Sequence, residues 1–277
     1  MQSQNTICYY YNDVRNFGDM LNLRLLSFFG KNPSNGNIRN SNIMCIGSLL
    51  QTIYSRKTKS LINKLLPHYH NPLIVYGSGF IEDTPVCYHP LRKLYITAVR
   101  GFHSLEKLHK FGNTTFAEEV AIGDPGLLAR YFIKNRNIPK KFSVGIIPHY
   151  VDKQNCNLRK VNIKNSIIID VQQNEETFLH TLAQCDTILS SSLHGLVAAD
   201  SLRIPNARII LSNNITGGDY KYDDYYSAFG LVKHTKLDLR KENISEDIVS
   251  FIRENYKVTD HKVDEICKSL ISAFPLK

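Results

Sequence analysis

The chain has 277 residues, of which 43% are hydrophobic and 21% charged, with a formal net charge of +9. No apolar run approaches the roughly 20 residues of a bilayer span, and the N-terminal MQSQNTICYYYND lacks a basic region followed by an apolar core, so neither an integral membrane protein nor a secretory leader is expected and the cytoplasm is the default. The basic balance favours anionic partners, but the Lys and Arg residues are spread along the chain without a zinc-finger, RNP-like or basic-helix pattern, which excludes nucleic acid as the expected partner.

In chain order, short β-branched or aromatic runs predict strands at Thr6–Tyr11, Ile43–Ile46, Leu73–Tyr76, Tyr95–Val99 and Glu119–Ile122, with helices at Asp19–Phe29, Ser48–Leu65 and His103–Lys110 between them. A polar, basic linker at Lys134–Lys141 follows. A second series places strands at Ser143–Ile147, Ser166–Val171, Thr187–Ser190 and Ala207–Leu211, and helices at Glu175–Gln184 and His194–Leu202. The tail from Ser245 to Phe274 carries apolar residues at helical spacing and predicts two closing helices. Such alternation builds parallel sheets covered by helices, so an α/β protein of two units is expected, residues 1–135 and 136–277. The six cysteines show no CxxC spacing and read as reduced thiols. No His, Cys or carboxylate spacing suggests a metal site, and no metal is expected.

In open α/β sheets ligands sit beyond the carboxyl ends of strands, which directs attention to the residues there. After the first strand, Asn16, Gly18 and Asp19 read as an ordinary helix cap or as a ligand turn. Gly77 and Ser78, in VYGSGF, are a plain turn or a close backbone approach to a ligand. Arg100, at a strand end, is a solvated cation or a two-pronged grip on a carboxylate or phosphate. Asp124-Pro125-Gly126 is first a turn signature and second a functional carboxylate. His149 follows Pro148 at the first strand of the second series. The run SSSLHGLVAADSL combines a strand end, a serine turn and a helix start. Unpaired amides there, with the hydroxyls of Ser191 and Ser192 and the turn of Leu193 to Gly195, would cradle a phosphate beside His194. The alternative is a capping turn with an incidental histidine. Lys221 lies in GGDYKYDDYYSAFG, which reads as a solvated loop or short amphipathic helix.

These pieces, taken in order, resemble the polysaccharide pyruvyl transferase family: N-F-G-D at 16–19, G-S-G at 77–79, V-R-G-x-x-S at 99–104, G-D-P at 123–125, I-P-H-Y-x-D at 147–152, S-S-L-H-G-L-x-A-A-D at 191–200, I-P at 204–205 and K-Y-x-D-Y-Y-S at 221–227. The resemblance implies two Rossmann-like halves in a GT-B-like arrangement. It also implies transfer of the pyruvyl group of phosphoenolpyruvate onto hydroxyls of a cell-surface polysaccharide or its lipid-linked precursor, with no cofactor. On that basis His194, Asp19 and Arg100 are the expected catalytic residues. His194 is the principal acid or base, Asp19 a second one or an acceptor-hydroxyl binder, and Arg100 with Lys221 a clamp on the donor's anionic groups. The expected substrate-binding set is Ser191, Ser192, Leu193, Gly195, Lys221, Asn16, Gly18, Gly77, Ser78 and His149. Some members carry arginine where this chain has Ser192, which shifts the phosphate onto amides, serines and more distant cations. The net charge is compatible with peripheral contact with an anionic inner membrane. Two other readings stay open: a GT-B-type glycosyltransferase using a nucleotide sugar, and a non-catalytic binding protein of the same fold.

Overall fold

The computed structural model describes residues 5–55, 71–84, 92–110, 114–133 and 138–276. Most of the helix expected at Ser48–Leu65, the first half of the expected linker and Cys87 lie outside the described residues. Strands β1 (Asn5–Tyr9), β2 (Asn32–Gly36), β3 (Ile43–Met44), β4 (Leu73–Tyr76), β5 (Leu94–Val99) and β6 (Thr114–Ile122) form one sheet in the order β2-β1-β3-β4-β5-β6. Every pairing in it is parallel. Helices α1 (Phe17–Phe28), α2 (Leu50–Ser55) and α3 (Phe102–His109) join its strands. A 3-10 helix at Pro125–Tyr131 leads onward, and the second sheet begins at Phe142.

That second sheet is also wholly parallel, in the order β11-β10-β9-β7-β8. It comprises β7 (Phe142–Ile147), β8 (Ser166–Ile168), β9 (Cys185–Ser190), β10 (Asn206–Ile210) and β11 (Lys236–Asp238), joined through helices α4 (Glu175–Ala183), α5 (Leu193–Ser201) and α6 (Tyr220–Ser227). The result is the expected α/β architecture of two Rossmann-like parallel sheets. Its strands are the predicted ones with two additions at sheet edges, β2 and β11. The sequence NPSNG of β2 is mostly exposed and has little strand propensity, which is why apolar patterning does not reveal it. Among the described residues no helix is long and apolar enough to cross a membrane.

The two sheets are tied together by specific contacts. The Phe17 amide donates to the Val171 carbonyl at 2.7 Å, and the Phe17 and Phe178 rings stack with centroids 3.9 Å apart. Gly217, with φ of +86°, lies so close to the Ile81 carbonyl that a side chain would collide with it. The tail forms two helices as expected, α7 (Asp247–Asn255) and α8 (Asp260–Ser272), but they part company. Helix α7 packs on β9 and β10, whereas α8, assigned to the second unit by its sequence position, returns to β6 and the Pro125–Tyr131 turn. The Tyr76 hydroxyl donates to the Leu270 carbonyl at 2.6 Å, and Phe274 stacks on Phe29. Periodicity shows that α8 has an apolar face; it does not show which sheet covers that face.

Candidate active site

A cleft of about 600 Å³ opens between the strand ends of the two sheets. From the first sheet's side it is lined by Tyr9 to Asp13, Asn16, Asp19, the end of β2 and the turn Gly47 to Leu49; from the second by His149, Tyr150, Ser192, Leu193, His194, Thr216 and Lys221. A second cavity of about 610 Å³ lies at the far end of α5, beside Arg130, Lys140, Arg203 and Asp264. Its cations are already engaged. Arg130 and Arg203 both pair with Asp264, and Lys140 donates to the Cys185 carbonyl at 2.5 Å. The chemistry therefore concentrates in the first cleft.

Helix α5 begins where β9 ends. The Ser190 hydroxyl accepts the Ser192 amide at 3.0 Å and so bends the chain, while the Ser191 hydroxyl accepts the His149 amide at 2.9 Å. Ser192 is the N-cap but makes no side-chain capping bond. The amides of Leu193 and His194 make no hydrogen bond with the described residues, and both residues line the cleft. Free N–H groups at a helix start, carrying the positive end of the helix dipole, attract an anion.

His194 packs over Gly18 at the start of α1, where a methyl group would collide with the imidazole. Its Nε2 faces Asp124 Oδ2 at 3.6 Å, and neither atom has a hydrogen-bond partner. The other Asp124 oxygen accepts the Gly126 amide at 2.8 Å, which fixes the carboxylate behind the ring. Asp19 occupies the first turn of α1, and burial raises its pKa to about 6 against the lowering effects of His194 and an Asn16 hydrogen bond. Asn16 Oδ1 is buried and unpaired. Burial, then the charges of Lys221 and His194, lowers His149 to about 3, so its ring is neutral at physiological pH.

Lys221, in the first turn of α6, is 7% exposed and makes no hydrogen bond or ion pair with the described residues. Burial and then the neighbouring Arg100 and Arg208 lower its pKa to about 7. A lysine held away from carboxylates and among cations is a strong attractor for an anion entering the cleft.

The structure thus brings together Asn16, Gly18, Asp19, His149, Ser192, Leu193, His194 and Lys221. It places five other candidates behind the cleft. Arg100 is fully buried and bonded to Asp224, Ser48 and Phe80. Gly77, with φ of +87°, is needed for close packing on Pro125, and Ser78 spends its hydroxyl on the Gly47 carbonyl and the Leu49 amide. The Ser191 hydroxyl serves the backbone of His149, and Gly195 lies against Ser190. Sequence reasoning ranked Asp124 as a turn residue first, although its place in G-D-P was the available signal. The sequence places the tyrosines at 9–11 inside the first strand, whereas β1 ends at Tyr9, and Tyr10 and Tyr11 line the cleft just beyond it. Among the described residues no group of three or more His, Cys, Asp or Glu is placed to hold a metal ion.

Comparisons with known proteins bear on this geometry. Residues 10–213 match the polysaccharide pyruvyl transferase family. An uncharacterized protein of Acanthamoeba polyphaga mimivirus is 32% identical over 169 residues, covering 57% of this chain and 55% of that protein. The succinoglycan biosynthesis protein ExoV of Rhizobium meliloti (strain 1021) is 23% identical over 230 residues, covering 80% of this chain and 64% of that protein. The chain therefore spans a little over half the length of these curated relatives. Among solved structures, a functionally uncharacterized protein of Klebsiella pneumoniae superposes with a TM-score of 0.45 at 14% identity, over 80% of this chain and 87% of the other. The wall teichoic acid polymerase TagF does so with a TM-score of 0.37 at 11% identity, over 97% and 82%.

Proposed function

The chain belongs to the polysaccharide pyruvyl transferase family, and from that premise we propose that it moves the pyruvyl group of phosphoenolpyruvate onto two hydroxyls of a saccharide or lipid-linked oligosaccharide, forming a ketal and releasing phosphate. The observation that carries this reading is the meeting, in one cleft, of a buried cation without a counter-ion among the described residues, an open helix N-terminus and a carboxylate-backed histidine. A donor bearing both a carboxylate and a phosphate needs two anion-binding groups, and Lys221 and the start of α5 supply them.

The reaction adds a proton to the methylene carbon of the donor, which leaves an oxocarbenium-like centre at the adjoining carbon. One acceptor hydroxyl attacks that carbon, phosphate departs and the second hydroxyl closes the ring. Of the two hydroxyl protons, one balances the new methyl group and the other leaves with phosphate. Asp19 retains its proton up to about pH 6 and is suited to protonate carbon. His194 takes the hydroxyl protons, with the Asp124 carboxylate stabilising the imidazolium that forms. The amides of Leu193 and His194 hold the departing phosphate. The relative named for succinoglycan biosynthesis supports a polysaccharide acceptor, which the protein would meet from the cytoplasmic side by peripheral contact with an anionic membrane.

Thermal-shift titration with phosphoenolpyruvate and with nucleotide sugars tests the donor. Phosphoenolpyruvate is expected to stabilise the protein, and stabilisation by a nucleotide sugar alone would transfer the cleft to a glycosyltransferase. Release of phosphate dependent on an added saccharide tests the transfer itself.

A further inference from the structure

Arg100 ends up outside the cleft, yet its position is among the most closely determined in the molecule. It follows β5, its side chain is fully buried, and every arm is engaged: Nε donates to Asp224 Oδ2 at 2.8 Å, one terminal nitrogen to the Ser48 hydroxyl at 2.6 Å, and the other to the Phe80 carbonyl. Asp224 is equally saturated. It accepts the Ser104 amide at 2.8 Å and the Ser104 hydroxyl at 2.7 Å. A buried ion pair of this kind contributes little stability over an apolar pair of the same shape, because desolvating two charges offsets their attraction. What it supplies is a fixed position.

The element so fixed is α6, which belongs to the second sheet but rests on the turn between β5 and α3 of the first. The Phe102 amide donates to the Ser227 hydroxyl at 2.8 Å, and Gly101 leaves room for the Asp224 carbonyl where any side chain would collide. Lys221 lies on this helix three residues before Asp224, and residues three apart on a helix are neighbours that pair when their charges are opposite. Here they do not pair. The other acids around Lys221 are committed as well: Asp219 to Arg208 at 2.6 Å and Lys236 at 2.7 Å, and Asp223 facing His234 at 3.6 Å.

We propose that Arg100 is a positioning residue for the donor site: by engaging Asp224 it seats α6 against the first sheet and withholds from Lys221 the carboxylate one turn away, leaving that ammonium free for an anionic group of the substrate. This rests on the reading of the cleft given above, and it reassigns Arg100 from direct contact with the donor to action through Lys221.

The test is a rescue measured with two probes, phosphoenolpyruvate and inorganic phosphate, by calorimetric titration of the folded protein. In Arg100→Met the released Asp224 pairs with Lys221, and affinity for both probes is expected to fall roughly tenfold or more. Adding Asp224→Asn removes the competing carboxylate, and the double variant should recover most of that loss. If Arg100 touched the donor directly, or served only to hold the fold, the second substitution would recover nothing; a double variant as weak as Arg100→Met overturns the proposal. Should Arg100→Met fail to fold, Arg100→Gln against Arg100→Gln/Asp224→Asn carries the same comparison. If the wild type binds phosphate but not phosphoenolpyruvate, the functional reading falls while the phosphate series still decides the role of Arg100. If it binds neither, both fall.

Discussion

Two sets of strand-end turns in this molecule share one sequence grammar and differ in use. The turns after β4 and β5 carry Gly77, Ser78 and Arg100; the turn after β9 carries Ser192, Leu193 and His194. In the first set every donor and acceptor named above is matched internally, down to the Ser78 hydroxyl at 2.8 Å from the Gly47 carbonyl. Around the second, Asn16 Oδ1, Asp124 Oδ2 and His194 Nε2 are buried without hydrogen-bond partners, and Lys221 has no counter-ion among the described residues. Buried polar groups are rarely left unsatisfied, and an exception calls for a water, an ion, a ligand or a catalytic role. Unspent hydrogen-bonding capacity, more than the presence of small or polar residues, separates a working turn from a supporting one.

The largest effect expected from breaking this contrast is at His194. A positioned acid or base contributes about 10²–10⁴-fold, so His194→Ala should lower saccharide-dependent phosphate release by that factor. The melting temperature should fall as well, since the ring is buried and packs over Gly18, so the two rates are compared at a temperature where both proteins are folded. A turnover within threefold of wild type would remove His194 from the chemistry. Lys221→Met comes next. Charge-assisted hydrogen bonds contribute about 1.5–3 kcal/mol, which is roughly a 10- to 150-fold loss in phosphoenolpyruvate affinity. Unchanged binding would show that the donor's charge is met elsewhere.

Much of this was legible in the amino-acid sequence. The apolar β-branched runs identify β4, β5, β7 and β9 because central parallel strands are buried on both faces. The edge strands β2 and β11 were not legible, since one-sided pairing places little demand on their side chains. Helix α6, read as a loop or short amphipathic helix, proves largely buried, and the reason is its contact with α3, far away in sequence. At the site, His194 and Asp19 follow from placement at helix starts, and Lys221 from the family resemblance. The role of Arg100 does not, because Asp224 lies 124 residues further along the chain. Local pattern shows what a side chain can do; only the fold shows which partner claims it.

A smaller, signed effect concerns Asp19. Its pKa of about 6 lies above the ordinary 3.8, and burial is the main cause. Between these values the folded protein holds a proton that the unfolded chain has released, so this group's contribution to stability is full below about pH 4 and is lost as the pH rises through about 6. Asp19→Asn removes that dependence. The variant should be more stable than wild type above pH 7 by up to about 3 kcal/mol, with the difference vanishing near pH 4, while transfer is lost. Denaturant titrations at the two pH values measure this. An equal difference at both would show that Asp19 is not strained by burial in the way a site carboxyl should be. Asp200, also raised to about 6 by burial although it accepts from Tyr225, Tyr256 and Asn206, contributes in the same direction and remains as background in both proteins.

The smallest expected effect on rate is at Ser78, and it tests the comparison from its other side. The Ser78 hydroxyl is fully buried and joins the Gly47 carbonyl to the Leu49 amide; Ser78→Ala leaves the Leu49 amide without a partner, while the Gly47 carbonyl keeps the Gly79 amide at 3.1 Å. An unsatisfied buried group costs about 1–3 kcal/mol, and at this chain length each kcal/mol lowers the melting temperature by about 2–4 °C. A loss of several degrees is therefore expected. Phosphoenolpyruvate affinity should stay within about twofold, because Ser78 does not line the cleft and the charges of Lys221 and the α5 start are untouched. The opposite pattern, an unchanged melting temperature with weakened donor binding, would mean that the glycine-serine turn reaches the ligand after all. The distinction between matched and unmatched polar groups would then have misassigned one of the two turns it was drawn from.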